Sequence, residues 1–175
     1  PSRAQDTRSS DRIAREIMAV SLPVVGIKEE FFQREAFFQA ADTAEAIPGL
    51  DKARAVIVPH HLVASPLIAR AFLSVGSRKV AQVVVIGPNH DNIGISPVAS
   101  AKLDWDTPFG RVRGDQKLTD LFFSRFGLDG DQAAVESEHS VGAIMPFVRN
   151  YLGDVPVLPV VVSSYAEYRD MDKLS

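Results

Sequence analysis

The chain has 175 residues, 46% of them hydrophobic and 23% charged, with a formal net charge of −3 and no cysteine. This length and apolar content suit one domain with its own core, while the slight acidity and the lack of a Lys/Arg cluster argue against nucleic acid as a partner. Disulfides and thiolate ligands are excluded within these residues, and no apolar run approaches the ~20 residues of a membrane span.

Residues 1–10 are polar and aperiodic and read as a disordered lead-in, followed by a single domain over 11–175. A cytoplasmic protein is expected, with a removed signal or anchor left open because the chain begins at Pro1. Ile13, Ile17 and Val20 predict a helix over 11–20, ended by Pro23 and Gly26. Over 28–47, Phe31, Phe38, Ala41 and Ala44 or Glu45 fall on one side of an amphipathic helix, and its phenylalanines are assigned to the core. Pro48 and Gly49 predict a turn. The A-R-A-V-I-V run over 53–58 predicts the first central strand, which leads straight into Pro59, His60 and His61.

A helix is predicted over 62–75, with Pro66 in its first turn and Gly76 as its stop. The strand over 80–86 contains Val83, Val84, Val85 and Ile86 in a row, the pattern of a strand covered on both faces. Gly87 and Pro88 then turn the chain out of the sheet toward Asn89 and His90. Strand, helix and strand make a right-handed βαβ unit with parallel strands.

The stretch D-W-D-T-P-F-G over 104–110 holds the only tryptophan, Trp105, and has the composition of a structured loop that walls a pocket. Asp115 is placed at the N-cap of a helix over 115–126, which Gly127 ends. A short strand over 133–135 leads into Glu136, Glu138 and His139. Ser140 caps a helix over 141–152 that Pro146 disturbs, and 155–162 is a third apolar strand. The expected fold class is α/β with a mostly parallel central sheet.

Two parallel strands that each end in a histidine present His60 and His90 at one sheet edge, where α/β folds bind ligands. Neighbouring strands lie about 4.8 Å apart, so both imidazoles can reach one ion. Two histidines and a carboxylate suit non-haem iron, and three histidines with water suit zinc. Asp91, Asp106, Asp115, Glu136 and Glu138 are the carboxylates able to ligate or to orient an imidazole. His61 reads as an orienting or packing group and Glu138 equally as a solvated charge. Each histidine alone is as easily a loop or capping residue; the pairing of His60 with His90 favours chemistry.

The segments Pro59-His60-His61, Gly87-Pro88-Asn89-His90, Trp105-Asp106-Thr107-Pro108-Phe109-Gly110, Asp115 and Glu138-His139-Ser140, with Pro146-Phe147 beyond, resemble in this order the Memo family. That family is the B component of the AmmeMemoRadiSam system, and the resemblance covers roughly residues 54–162. It implies a three-layer α/β/α fold similar to class III extradiol ring-cleaving dioxygenases, expected here in a C-terminally shortened form. It implies His60 and His90 as metal ligands, His139 as a catalytic acid/base and Asp115 as a catalytic or supporting acid. His61, Asn89, Trp105 and Glu138 are the further pocket candidates.

The implied metal is iron or copper, with zinc as an alternative, acting in redox or oxygenase chemistry on a small, phenolic substrate. Other AmmeMemoRadiSam proteins and a homo-oligomer are the implied partners. Two departures stand out: the family's P-H-A-G-Y is replaced by Pro59-His60-His61-Leu62-Val63-Ala64-Ser65, and its third ligand, often a cysteine, has no counterpart. A zinc-type hydrolase using the same histidines and a non-catalytic interaction module that keeps a relic pocket are the alternative functions.

Overall fold

The computed structural model describes residues 22–128 and 130–172. The lead-in over 1–10 and the helix over 11–20 lie outside the described residues. β1 (Val24–Gly26) is followed by a 3-10 turn at Glu29–Phe31, α1 (Arg34–Thr43), α2 (Ser65–Gly76) and β2 (Val83–Asn89). Then come β3 (Val98–Ala99), the hairpin of β4 (Asp104–Thr107) and β5 (Gly110–Val112), and α3 (Gln116–Phe126). Three helices, α4 (Gln132–Glu136), α5 (His139–Gly142) and α6 (Met145–Leu152), lead to β6 (Val157–Ser163) and α7 (Tyr168–Met171). Among the described residues no helix is long and apolar enough to cross a membrane.

The fold is mixed α/β, built among the described residues on two three-stranded sheets where one mostly parallel central sheet was expected. β6 lies between β2, which is parallel to it, and β3, which is antiparallel. β4 lies between parallel β1 and antiparallel β5. The sheets meet where Asp115 N–H donates to Val157 O and Val157 N–H donates to Arg113 O, each at 2.8 Å. β6 is buried along almost its whole length, as its unbroken apolar run requires.

β2 departs from expectation in three ways. It starts at Val83 and runs on through Gly87 and Pro88 to Asn89, which pair with Val161, Val162 and Ser163, so Gly87-Pro88 does not leave the sheet. Pro88 is tolerated because β2 is an edge strand and needs no N–H on its free side. Its β-branched residues are covered on one face only: Val85 is buried, while Val84 and Ile86 are 49% and 58% exposed. The cause is a missing neighbour, because 53–58 forms no strand. This segment stands across an open cleft of about 670 Å³ from β2, with Ile57 fully exposed. β-branched composition favours extension, but only ladder hydrogen bonds make a strand.

Helix faces and boundaries also moved. α1 buries Phe37 and Ala40 rather than the predicted Phe38 side, and the Phe37 ring packs against Phe109 and Phe147 at centroid distances of 4.7 and 4.6 Å. Trp105 lies in β4 between Val25 and Val112 and is 2% exposed, so it belongs to the core and does not wall a pocket. Residues 133–135 are helical, within α4, because Asp131 Oδ1 accepts the Ala134 N–H at 3.0 Å and caps a turn there. The helix over 141–152 is two helices, with Pro146 in the first turn of α6.

The change of buried face is open to test by denaturation. Phe37→Ala should cost about 3–5 kcal/mol through the cavity it leaves, whereas Phe38→Ala should cost less than about 1.5 kcal/mol. Equal losses would contradict the packing described.

Candidate metal centre

The site is assembled where β2 ends. Ser140, in the first turn of α5, donates through Oγ to Pro88 O at 2.8 Å. A Cβ on Gly87 would lie 2.2 Å from that Oγ, so only glycine lets α5 approach β2 this closely. The approach sets His139 beside His90, their rings stacked at 4.3 Å and 25°.

Glu138 sits between them and is 4% exposed. Its Oε2 accepts the His90 backbone N–H at 2.7 Å. Its Oε1 accepts the Ser140 N–H at 2.8 Å and lies 2.9 Å from His90 Nδ1 and 3.3 Å from His139 Nδ1. The Ser140 bond makes Glu138 the N-cap of α5, the place that the sequence pattern assigned to Ser140.

His60 reaches the same spot by another route than the predicted strand end. A 3-10 turn at Leu62–Ala64, closed by Ala64 N–H to His61 O at 2.9 Å, follows the irregular segment and fixes the His60-His61 pair. The His60 ring lies 5.0 Å from that of His90 and 5.2 Å from that of His139. One nitrogen from each of His60, His90 and His139 lies within 4.8 Å of the other two. The His61 ring flanks the trio, 4.7 Å from His60 and 5.6 Å from His139.

His60 Nε2 is buried without a hydrogen-bond partner among the described residues. A buried polar atom left unpaired is costly, and an ion at this point would satisfy it. Burial lowers the His60 pKa, the neighbouring His61, His90 and His139 lower it further, and Glu138 opposes them. The ring is therefore kept in the neutral form that ligates. Burial pushes the Glu138 carboxyl up, but the N–H groups of Ser140 and His90 outweigh it and hold the pKa below the usual carboxylate value. Three imidazoles with no thiolate fit the borderline divalent metals.

A cavity of about 260 Å³ opens beside the trio, lined by Glu30, Gln33, His60, His61 and His139 with Leu62, Val63 and Ala143. Glu30 and Gln33 carried no motif, and inside a predicted helix nothing distinguished them from solvated positions. Of the carboxylates named from the sequence, Glu138 is the one in contact with the imidazoles among the described residues. Asp115 is at the far end of the sheet: it adjoins Val157, six positions before Ser163 along β6, or roughly 20 Å at the usual rise per residue. There its Oδ1 accepts the Leu118 N–H at 3.0 Å and caps α3, and Gln82 donates to its other oxygen. Asn89 does not line the cavity. Its amide donates to Ile93 O at 2.8 Å and Ser163 Oγ at 3.2 Å, and so braces the turn after β2.

The profile of the family described as Memo-like protein matches residues 33–173. A "MEMO1 family protein" of Pyrobaculum arsenaticum is 38% identical over 117 residues, 64% of this chain and 41% of that protein. One of Methanococcoides burtonii is 37% identical over 114 residues, covering 63% and 42%, and one of Methanobrevibacter smithii is 30% identical over 125 residues, covering 69% and 44%. This chain thus spans about two fifths of the length of the curated relatives it matches. With the matched segment running through all three clustered histidines, the chain belongs to the Memo-like protein family.

Proposed function

We propose that the chain holds one divalent transition metal through His60, His90 and His139 and serves redox or oxygenase chemistry on a small substrate in the adjoining cavity. The observation that carries this is the convergence of three imidazoles from separate segments around a buried, unpartnered His60 Nε2. Iron or copper is the proposed metal, which when bound would supply a Lewis-acidic, redox-active centre. With His139 among the ligands, His61 is the imidazole at the cavity wall left to exchange a proton with the substrate. The cavity volume suits a molecule of about one substituted ring, and a phenol would meet both His61 and the acceptor side chain of Glu30.

The same reading assigns the chain to the three-layer fold class of the class III extradiol dioxygenases. The edge that β2 leaves unpaired among the described residues supports it, since a further strand could pair there. A second reading, a zinc-type hydrolase, is favoured by one feature: the clustered donors among the described residues are three histidines, a set that holds catalytic zinc with a water in the fourth position. Ester turnover that persists without oxygen would select it, and strict oxygen dependence would reject it.

Protein purified from metal-supplemented medium should carry about one iron or copper per chain by elemental analysis. His60→Ala, His90→Ala and His139→Ala should each weaken that binding by at least ~10-fold; a wild-type protein that binds none of iron, copper or zinc would sink the proposal. Asp115→Ala should leave metal content unchanged while costing about 1 kcal/mol of stability through the lost cap.

The pKa directions give a sign for the metal-free protein. His60 and Glu138 both have folded values below their unfolded ones, so the unfolded chain binds more protons and stability rises with pH and is lost on acidification. The His60 contribution is present above about pH 6.5 and is lost as pH drops through its lowered folded value, and the Glu138 contribution goes at lower pH. Thermal melts from pH 8 to 4 should show a falling Tm, and His60→Gln should flatten the upper limb. A Tm that rises on acidification would reverse the assignment.

A further inference from the structure

We infer that Glu138 is a positioning residue that fixes the ring tautomer of two metal-site histidines at once. The inference rests on the metal reading above but has a test of its own. Glu138 is nearly inaccessible, yet its carboxylate faces four N–H or ring-nitrogen groups: the backbone amides of His90 and Ser140 and the Nδ1 atoms of His90 and His139.

An ionised carboxylate only accepts hydrogen bonds. His90 Nδ1, hydrogen-bonded to it at 2.9 Å, must then carry the proton, and the carboxylate 3.3 Å from His139 Nδ1 draws the proton to that nitrogen too; a neutral ring protonated at Nδ1 has its lone pair at Nε2. The one carboxylate thus turns two free-rotor imidazoles into two aimed Nε2 donors on stacked rings 4.3 Å apart. The backbone amides matter equally. They pin both oxygens to the start of α5 and to the residue after β2, so the carboxylate cannot follow one ring and abandon the other.

A second consequence is electrostatic. Three neutral imidazoles leave the full charge of a divalent cation uncompensated in a partly buried site, and Glu138 sets one negative charge behind two of them. His60 has no such partner and takes its orientation from the turn at Leu62–Ala64. The trio therefore divides into a pair aimed by one carboxylate and a single ring aimed by backbone.

Nitrogen-15 NMR of the imidazoles in the metal-free wild-type protein reads the tautomers directly. His90 and His139 should both be protonated at Nδ1 near pH 8, and a dominant Nε2–H form in either ring would overturn the inference without any variant. Glu138→Gln preserves shape but presents an amide, and in a variant shown to be folded by circular dichroism it should shift at least one ring toward the Nε2–H form. It should also weaken cobalt(II) binding, followed by its visible d–d bands, by about 10–100-fold. Unchanged tautomers and affinity in the folded variant would overturn the inference. Wild-type protein that binds no cobalt, zinc, iron or copper would overturn the metal reading instead, while the tautomer measurement would still decide the role of Glu138.

Discussion

One buried carboxylate carries the arrangement at the end of β2. Removing a charge from water is expensive unless its hydrogen-bonding capacity is met, and Glu138 meets it with two backbone amides and His90 Nδ1, with His139 Nδ1 3.3 Å away. Those partners belong to different parts of the chain, so satisfying the charge forces α5 against the end of β2. Gly87, which leaves room for Ser140, and the Ser140–Pro88 bond are the steric and polar counterparts of the same contact. The two motifs Gly87-Pro88-Asn89-His90 and Glu138-His139-Ser140 are therefore the two halves of one joint.

Beneath this joint lies a conventional apolar support. β6 is buried along nearly its length, and Phe37, Phe147 and Trp105 fill the core around the sheets. Packing at this density leaves β2 little freedom at its paired edge. Its other edge is different: Val84 and Ile86 face a cleft, and segment 53–58 lies beyond it without ladder bonds. The site thus stands between a ladder-paired side, which carries His90 and, through α5, His139, and a side without ladder bonds, which carries His60 and His61. That asymmetry matches the division between a carboxylate-aimed pair and a backbone-aimed single ring.

The cavity inherits the same division. His139 faces it from α5, while His61, Leu62 and Val63 come from the 3-10 turn and its N-cap and Glu30 and Gln33 from the segment before α1. A substrate there would touch residues set by local turns more than by the sheets. Loop-borne contacts beside side chains held by regular elements are a common division of labour between recognition and chemistry.

The sequence by itself determined the α/β character, most helices and the identity of the three histidines. Periodicity, proline and glycine positions and caps such as Asp115 are local properties, and local properties are legible in one dimension. It also placed His60 and His90 together, though by a strand at 53–58 that does not form. Tertiary structure decided what depends on neighbours: whether a β-branched run finds a ladder partner, which side of α1 faces inward, and that Trp105 and Asp115 serve core and cap and not the site. It decided, too, that Glu138 is buried between two imidazoles and not solvated, because the burial of a charge depends on partners 48 positions away in the chain, as His90 is from Glu138. No local pattern records that distance.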